Sequence, residues 1–289
     1  MNEFSRLHPL VLFAFFLSVI VLTVVQTHPI YILISLLAAK VCAFKILGFQ
    51  NYKKRSLSYL LIFLIVGLSN PVFSHKGATI LFYLNDNPFT LEATIYGFVF
   101  AAMLIAVLLW CEILQKVMSS DKILYLFSKS IPAIGLMLTM TLRFIPKFAS
   151  QAKSIRDAQK FLGNDITQGS LLHRIKSGVS ILSMLITYAF ETSVDTADSM
   201  KSRGYGSHKR TNFTTYLFTR SDGGYLFGIS ILFLFCFIML NQPVNLFYYY
   251  PLIQNLSFQV KDLVLYLGYI CLFNFAFVYE IKEERKWKS

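Results

Sequence analysis

Ile131-Pro-Ala-Ile-Gly-Leu-Met-Leu-Thr-Met-Thr-Leu-Arg-Phe-Ile-Pro-Lys147 and Gly178-Val-Ser-Ile-Leu-Ser-Met-Leu-Ile-Thr-Tyr-Ala-Phe190 are the stretches whose reading decides the fold. Each holds an apolar run of about a dozen residues, 131–142 in the first and 178–190 in the second, bordered by dense positive charge. Runs of that size are more often interfacial or protein-packed helices than membrane spans. A hairpin through the bilayer would also put Arg143, Lys147, Lys153, Arg156, Lys160, Arg174 and Lys176 on the outer side, against the usual cytoplasmic excess of Lys and Arg. Both runs are therefore read as cytoplasmic helices.

Outside them the chain is membrane protein throughout. Of its 289 residues 55% are hydrophobic and only 15% charged, with 28 Phe and a mean hydropathy of +0.57, which excludes an ordinary soluble domain. About 18 uncharged residues cross the hydrocarbon core as a helix. Six segments qualify: 9–26, 29–48, 56–73, 91–114, 223–240 and 261–279. With the N-terminus inside, all but Lys76 and Lys261 of the 27 basic residues lie on or near the inner face. The expected fold class is an all-α integral membrane protein of about six transmembrane helices plus a cytoplasmic pair of long amphipathic helices. Residues 1–114 hold spans one to four, 115–222 the cytoplasmic helices, and 223–289 spans five and six with a basic tail. The net charge of +12 is thus assigned to loops, not to a nucleic-acid face. Gln26-Thr27-His28-Pro29 offers no cleavage site after the first apolar run, which is expected to stay as a span.

Within 115–222, Leu136, Met140, Phe144 and Phe148 recur at helical spacing, with Arg143, Lys147, Gln151 and Ser154 on another face. This helix stops near Gly163-Asn164. Leu172, Ile175, Val179, Leu182, Ile186 and Phe190 form the stripe of a second helix, which carries Glu191, Asp195 and Asp198 elsewhere and stops at Gly204. Residues 205–222 are read as a loop. Two such stripes must pack on each other, on the spans or on a partner. Both tips carry nearby cations, Lys160 and then Lys201 with Arg203. They fit grooves on an acidic partner through charge-assisted hydrogen bonds; the plainer reading is a solvated helix end favoured by the macrodipole.

Ser199-Met-Lys-Ser-Arg-Gly-Tyr-Gly206, followed by Lys209-Arg-Thr211, resembles the transmembrane (T) component of energy-coupling factor transporters, the CbiQ/EcfT family, where an Ala-Arg-Gly signature ends each of two coupling helices. His8-Pro9, His28-Pro29, Asn70-Pro-Val-Phe73, Gly77-Ala-Thr79, Leu142-Arg-Phe-Ile-Pro146 and Ile155-Arg-Asp-Ala-Gln159 extend the likeness along most of the chain. The first signature departs from the pattern: it reads Phe161-Leu162-Gly163, so the first tip docks through apolar contact or borrows charge from Lys160. The resemblance implies a scaffold in the bacterial plasma membrane with both termini cytoplasmic. It would bind two cytoplasmic ABC-type ATPase subunits at its helix tips and a membrane substrate-binding (S) subunit on its crossed helices, for uptake of a vitamin or metal ion. Ser202, Arg203, Gly204, Leu162, Gly163 and Lys160 are then the ATPase-coupling residues, and Arg143, Pro146 and Arg156 shape the coupling helices.

The chain itself is expected to be no enzyme and to hold no cofactor. The sequence contains no G-x-x-x-x-G-K-[ST] loop, so ATP and its Mg belong to the partners. His8, His28, His75, His173 and His208 show no H-E-x-x-H or close pairing, and Cys42, Cys111, Cys236 and Cys271 form no C-x-x-C pair, so neither a metal site nor a disulfide framework is expected. Glu92 and Glu112 fall near span ends. Asp195 and Asp198 either face Arg143, Lys147 or Arg156 across the crossed helices or form a solvated acidic face, which the small value of exposed ion pairs favours. Pro146 is expected to kink its helix. Phe247 to Tyr250 suit the outer interface, and Asn255-Leu-Ser257 matches a glycosylation pattern without use in a bacterium. The alternatives are a self-sufficient channel or secondary carrier, which needs polar or broken helices at mid-membrane, and a membrane enzyme, which needs a clustered acid-base or metal site.

Overall fold

The computed structural model describes residues 3–74, 76–84, 87–207, 216–240, 247–254 and 260–288, and of these the side chains at 3, 49–54, 84, 87, 129–130, 132, 260–262 and 283–288 stay undescribed. His75, His208, the Lys209-Arg-Thr211 run and Asn255 to Ser257 lie outside the described residues. After a short 3-10 helix, Glu3–Arg6, come α1 (Pro9–Val25), α2 (Pro29–Leu47), α3 (Phe49–Phe73), the strands β1 (Ile80–Leu84) and β2 (Asn87–Thr90), α4 (Leu91–Val117), α5 (Ser120–Ser130), α6 (Pro132–Phe161), α7 (Leu171–Ser202), α8 (Arg220–Leu240), α9 (Val260–Phe273) and α10 (Phe275–Lys288). The chain divides into a unit of residues 1–123 with 216–289 and a second unit of residues 124–215.

Five helices among the described residues are long and apolar enough to cross a membrane: α2, α3 over Arg55–Phe73, α4, α7 and α8; α9 with α10 makes a sixth if the bent pair is one span. The architecture is an all-α integral membrane protein with one small hairpin. Several boundaries differ from the sequence expectation. The run 178–190 lies inside a 32-residue helix, so length alone does not bar α7 from a membrane. Helix α1 has 17 residues, at the lower limit for a span. The loop expected at 49–55 is already helix: only Gly48, at φ 84, separates α2 from α3, because lysines and arginine mark a side of the membrane and are also good helix formers. The sixth span is bent by 50° at Asn274, whose Nδ2 donates to the Ile270 carbonyl at 2.9 Å. Helix α5 and the β1–β2 hairpin were not expected, and α8 begins at Arg220 within the expected 205–222 loop. Its start is a capping box, with Thr219 N and Oγ1 donating to Asp222 Oδ2 at 2.9 and 2.7 Å and Asp222 N donating to Thr219 Oγ1 at 3.3 Å.

The first unit is built around Trp110 of α4, fully buried, with the rings of Phe15, Phe16 and Phe273 at 6.1, 6.5 and 5.9 Å. Its indole N–H donates to Ser35 Oγ at 3.2 Å, and Ser35 shares a 2.8 Å bond with Thr23, so the buried polar atoms satisfy one another. The two His-Pro pairs have a local cause. His8 and His28 cap α1 and α2 by accepting the N–H of Leu10 and Ile30 at 3.2 and 3.3 Å, while Pro9 and Pro29 take the first helical position, where no N–H is needed.

Helices α3 and α4 approach closely where a Cβ on Gly97 would lie 2.4 Å from the Gly67 carbonyl oxygen. One turn further along α3, Asn70 Nδ2 donates to the Ala93 carbonyl at 2.8 Å. Beyond it Gly77-Ala-Thr79 wraps the buried Glu92 carboxylate, which accepts from Thr79 N and Oγ1 at 3.1 and 2.6 Å; a Cβ on Gly77 would sit 2.5 Å from Glu92 Oε2. At the other end of α4, Glu112 accepts hydrogen bonds from Arg55 and Tyr59 of α3. Both acidic span-end residues are thus ties between elements.

The ends of the helices in this unit sort onto two faces. Ser5, Arg6, Ile46, Lys116, Lys122 and Tyr216 share one cavity, and the Phe4 N–H donates to Glu280 at 2.8 Å. Thr27, Asn70, Ser74, Lys76 and Phe247 to Tyr250 share another, where Tyr249 donates to the Thr27 carbonyl at 2.7 Å. The helix α1, then α2, α3, α4, α8 and the α9–α10 pair therefore run alternately between the faces, and the chain leaves for its second unit and returns from it on the same basic face. Replacing Gly97 by Val, which forces α3 off α4, is expected to cost about 1–3 kcal/mol, read as a lower thermal midpoint in detergent. Gly224→Ala, where nothing lies within 4 Å of the added Cβ, should leave the midpoint in place.

Candidate partner-docking site

The second unit is an antiparallel pair of long helices. Helices α6 and α7 pack through Phe148 against Tyr188, ring centroids 6.2 Å apart, and through Gln159, buried, whose Nε2 donates to Met184 Sδ at 3.6 Å. Lys147 sits over the rings of Phe144 and Tyr188 at 6.0 and 5.6 Å. The crossing is therefore held by aromatic and cation–π contact, and no ion pair within 4.0 Å among the described residues links Asp195 or Asp198 to Arg143, Lys147 or Arg156. Arg156 pairs with its neighbour Asp157 at 3.6 Å. Helix α6 runs on past Pro146.

Each helix ends in the same device. At the end of α6 the Asn164 N–H bonds the Gln159 carbonyl at 3.0 Å and the Gly163 N–H bonds that of Lys160 at 3.1 Å. At the end of α7 the Tyr205 N–H bonds Met200 at 3.0 Å and the Gly204 N–H bonds Lys201 at 2.9 Å. These are two Schellman motifs, with Gly163 at φ 83 and Gly204 at φ 79, the left-handed region in which glycine carries no Cβ penalty. The residue-by-residue match puts Leu162 at the helix-capping position that Arg203 holds in the second tip. Both tips are exposed, Phe161 to 91% and Leu162 to 73%. The first tip is therefore greasy where the second is cationic. Its nearest cation, Lys160, is drawn toward the turn by Asp165 at 3.9 Å. Asp165 accepts from Thr167 N and Oγ1 at 3.0 and 2.8 Å, bonds that hold its carboxyl below the usual carboxylate range.

Of the residues read from sequence, Arg143 and Arg203 come together. With Lys147, Tyr188, Glu191 and Asp195 they line a cavity of about 540 Å³ between the helices. Ser202 and Gly204 flank Arg203 on the second tip, while Lys160, Leu162 and Gly163 form the first; Pro146 and Arg156 line neither the cavity nor a tip. Sequence reading did not single out Tyr188; it named Asn164 only as a helix stop and Gln159 only within a motif, whereas Asn164 Nδ2 ties back to Gln159 at 3.1 Å. Asp165-x-Thr167, which sequence reading passed over, carries the signal of the Asx turn that stiffens the connection. The α7 stripe faces away from α6: Leu172, Ile175, Val179, Leu182, Ile186 and Phe190 are 47–81% exposed.

A helical bundle able to span a bilayer, in a chain that also holds two amphipathic helices with matched exposed tips, defines a multi-pass membrane protein. The model of the CbiQ family, described as cobalt transport protein, matches residues 3–213, and the chain belongs to that family. Relatives named energy-coupling factor transporter transmembrane protein EcfT include those of Lactococcus lactis subsp. cremoris, 37% identical over 113 residues (39% of this chain, 42% of the relative), Listeria innocua serovar 6a, 32% over 120 residues (41% and 44%), and Bacillus subtilis, 32% over 100 residues (34% and 38%). The matched part spans about two-fifths of each of these relatives. The resemblance read from the tips is thereby shown, and the family is one of transport proteins.

Because each tip glycine stands at positive φ, Gly163→Ala and Gly204→Ala should each cost about 1–2 kcal/mol of tip stability. Faster amide hydrogen exchange confined to 160–164 or 201–205 would show it, and exchange unchanged there would refute the assignment of the caps.

Proposed function

We propose that this chain is the energy-coupling (T) component of an importer. It binds two cytoplasmic ATP-hydrolysing subunits at the tips of α6 and α7, binds a substrate-selecting membrane subunit on the apolar stripe, and passes ATP-driven motion between them. The observation that carries the reading is the pair of identical helix caps projecting an exposed Leu162 and an exposed Arg203. ATP and Mg are held by the ATPases, and the S subunit selects the vitamin or metal ion carried.

The side of the membrane follows from charge. The chain leaves and rejoins the first unit on the face that holds Arg6, Lys116 and Lys122, while Lys76 lines the opposite one. Helices α6 and α7 then cross together or not at all. Crossing would bury their charged faces in hydrocarbon or place Lys153, Arg156 and Lys160 outside, so both stay cytoplasmic, as do both termini. The support is electrostatic: in a bacterial plasma membrane the basic face is the inner one.

Two experiments test the reading. Arg203→Glu should insert normally yet lose co-purifying ATPase subunits by roughly thirtyfold, the equivalent of about 2 kcal/mol at a desolvated charge contact; full recovery of ATPases and transport would end the proposal. In a background without native cysteines, Lys153→Cys and Lys176→Cys should resist an impermeant maleimide on intact cells and react once the cells are opened. Labelling from outside would put the helices on the wrong side.

A further inference from the structure

The hairpin of β1 and β2 has apolar side chains on both faces. An antiparallel sheet in water commonly packs one face on a core and turns a polar face outward. Here Phe82 and Phe89 pair across one face, their rings stacked with centroids 4.5 Å apart, and Tyr83 opposes Pro88 on the other. Ile80, Leu81, Phe82 and Tyr83 are 47–66% exposed. The sheet holds these two strands alone among the described residues, so each strand keeps one edge of unpaired backbone groups.

Four large exposed side chains spread over both faces disfavour water. Open sheet edges are excluded from hydrocarbon, where no water reaches their N–H and C=O groups. The layer that meets both demands is the membrane–water interface, wet enough for the edges and apolar enough for the rings, where amphipathic aromatic residues collect. The place of the hairpin along the bundle agrees. Thr90, the last residue of β2, is the N-cap of α4, so the hairpin lies where that candidate span begins. Within α4 the stretch between Glu92 and Glu112 carries no charge, and at about 1.5 Å per residue the two carboxyl-bearing positions stand roughly 30 Å apart, one hydrocarbon thickness. The base of the hairpin is fixed at that level. Thr90 Oγ1 donates to the Lys76 carbonyl at 2.9 Å, Leu91 N to the Thr79 carbonyl at 3.0 Å and Ala78 N to the Pro251 carbonyl at 3.0 Å, which ties it to α4 and to the connection between α8 and α9.

We propose that the β1–β2 hairpin is an interfacial anchor, lying in the headgroup layer of the bilayer with Phe82, Tyr83 and Phe89 among the lipids and both strand edges open to water. It sets the depth at which the end of α3 and the start of α4 sit in the membrane. A protein surface covers one face of a hairpin, whereas a lipid layer covers both, and this decides for lipid as the occupant. The inference needs only the membrane bundle and is independent of the coupling role.

The test uses the full chain in phosphatidylcholine nanodiscs, with Tyr83→Trp read against the unsubstituted chain, whose two tryptophans form the background. The added indole should emit to the blue of an indole in water. It should also lose more intensity to lipids brominated near the headgroup end of the acyl chain than to lipids brominated near the methyl end. Phe82→Trp repeats the measurement should the first variant fail to fold. Water-like emission that neither lipid quenches puts the hairpin in solution, and blue-shifted emission that neither quenches puts it under protein, a second copy or another chain. Stronger quenching by the deep bromines puts it in hydrocarbon. Each of these three results overturns the proposal.

Discussion

In hydrocarbon a peptide group has no water to bond, so every backbone donor and acceptor must be satisfied inside its own helix, and the places where helices end become the costly places of the structure. This chain spends its scarce polar residues there. His8 and His28 accept the first free N–H groups of α1 and α2, Asn70 ties the end of α3 to the start of α4, and Glu92 gathers the 77–79 turn. Lys122 takes a carbonyl from the end of α4. The middles of the helices are left to apolar packing around Trp110, whose single polar atom is met by Ser35. Motif pieces that look weak in the sequence, His-Pro and Asn-Pro, are therefore parts of one solution to helix termination.

The tips of α6 and α7 apply the same principle in the second unit with the opposite result. A Schellman cap satisfies the last carbonyls from within the chain, so the tip needs nothing from its surroundings and its capping-position side chain is free to project. Leu162 and Arg203 occupy equivalent places in equivalent backbone. The difference between the tips is thus purely one of side-chain chemistry: a rigid fork of donors on one and two exposed apolar side chains on the other.

What the sequence made legible follows from how local each signal is. The tips were readable because glycine at the left-handed position, preceded by helical periodicity, is decided within a few residues. Five of the six expected span cores were readable as single helices because composition alone marks them. The start of α3 was misread because Lys53, Lys54 and Arg55 report the membrane side and say nothing about helix or loop. The bend at Asn274 and the hairpin of Ile80–Leu84 with Asn87–Thr90 escaped although their bonds are local, Asn274 to the Ile270 carbonyl and one strand to the next, because hydropathy over a span-length window does not register a single polar residue or two short strands. The α6–α7 cavity was half legible: Arg143 and Arg203 were singled out separately, but only the antiparallel pairing brings them together.

The uncovered stripe of α7 sets the energetic scale for the proposed role. Six large apolar side chains, each more than two-fifths exposed, would gain on the order of 10 kcal/mol together if fully covered. Association itself consumes about half of that or more in lost translational and rotational freedom and in side-chain ordering. The remainder of at most about 5 kcal/mol corresponds to a weak grip, about millimolar or a few-fold tighter. An apolar stripe without registered charges also imposes no fixed rotational setting on what covers it. In the proposed role, a partner held by such a surface stays attached while sliding or tilting, whereas the cap at Gly204 fixes the backbone from which Arg203 projects. Compliance on the stripe and rigidity at the tips is the combination that a lever between a motor and a moving load requires.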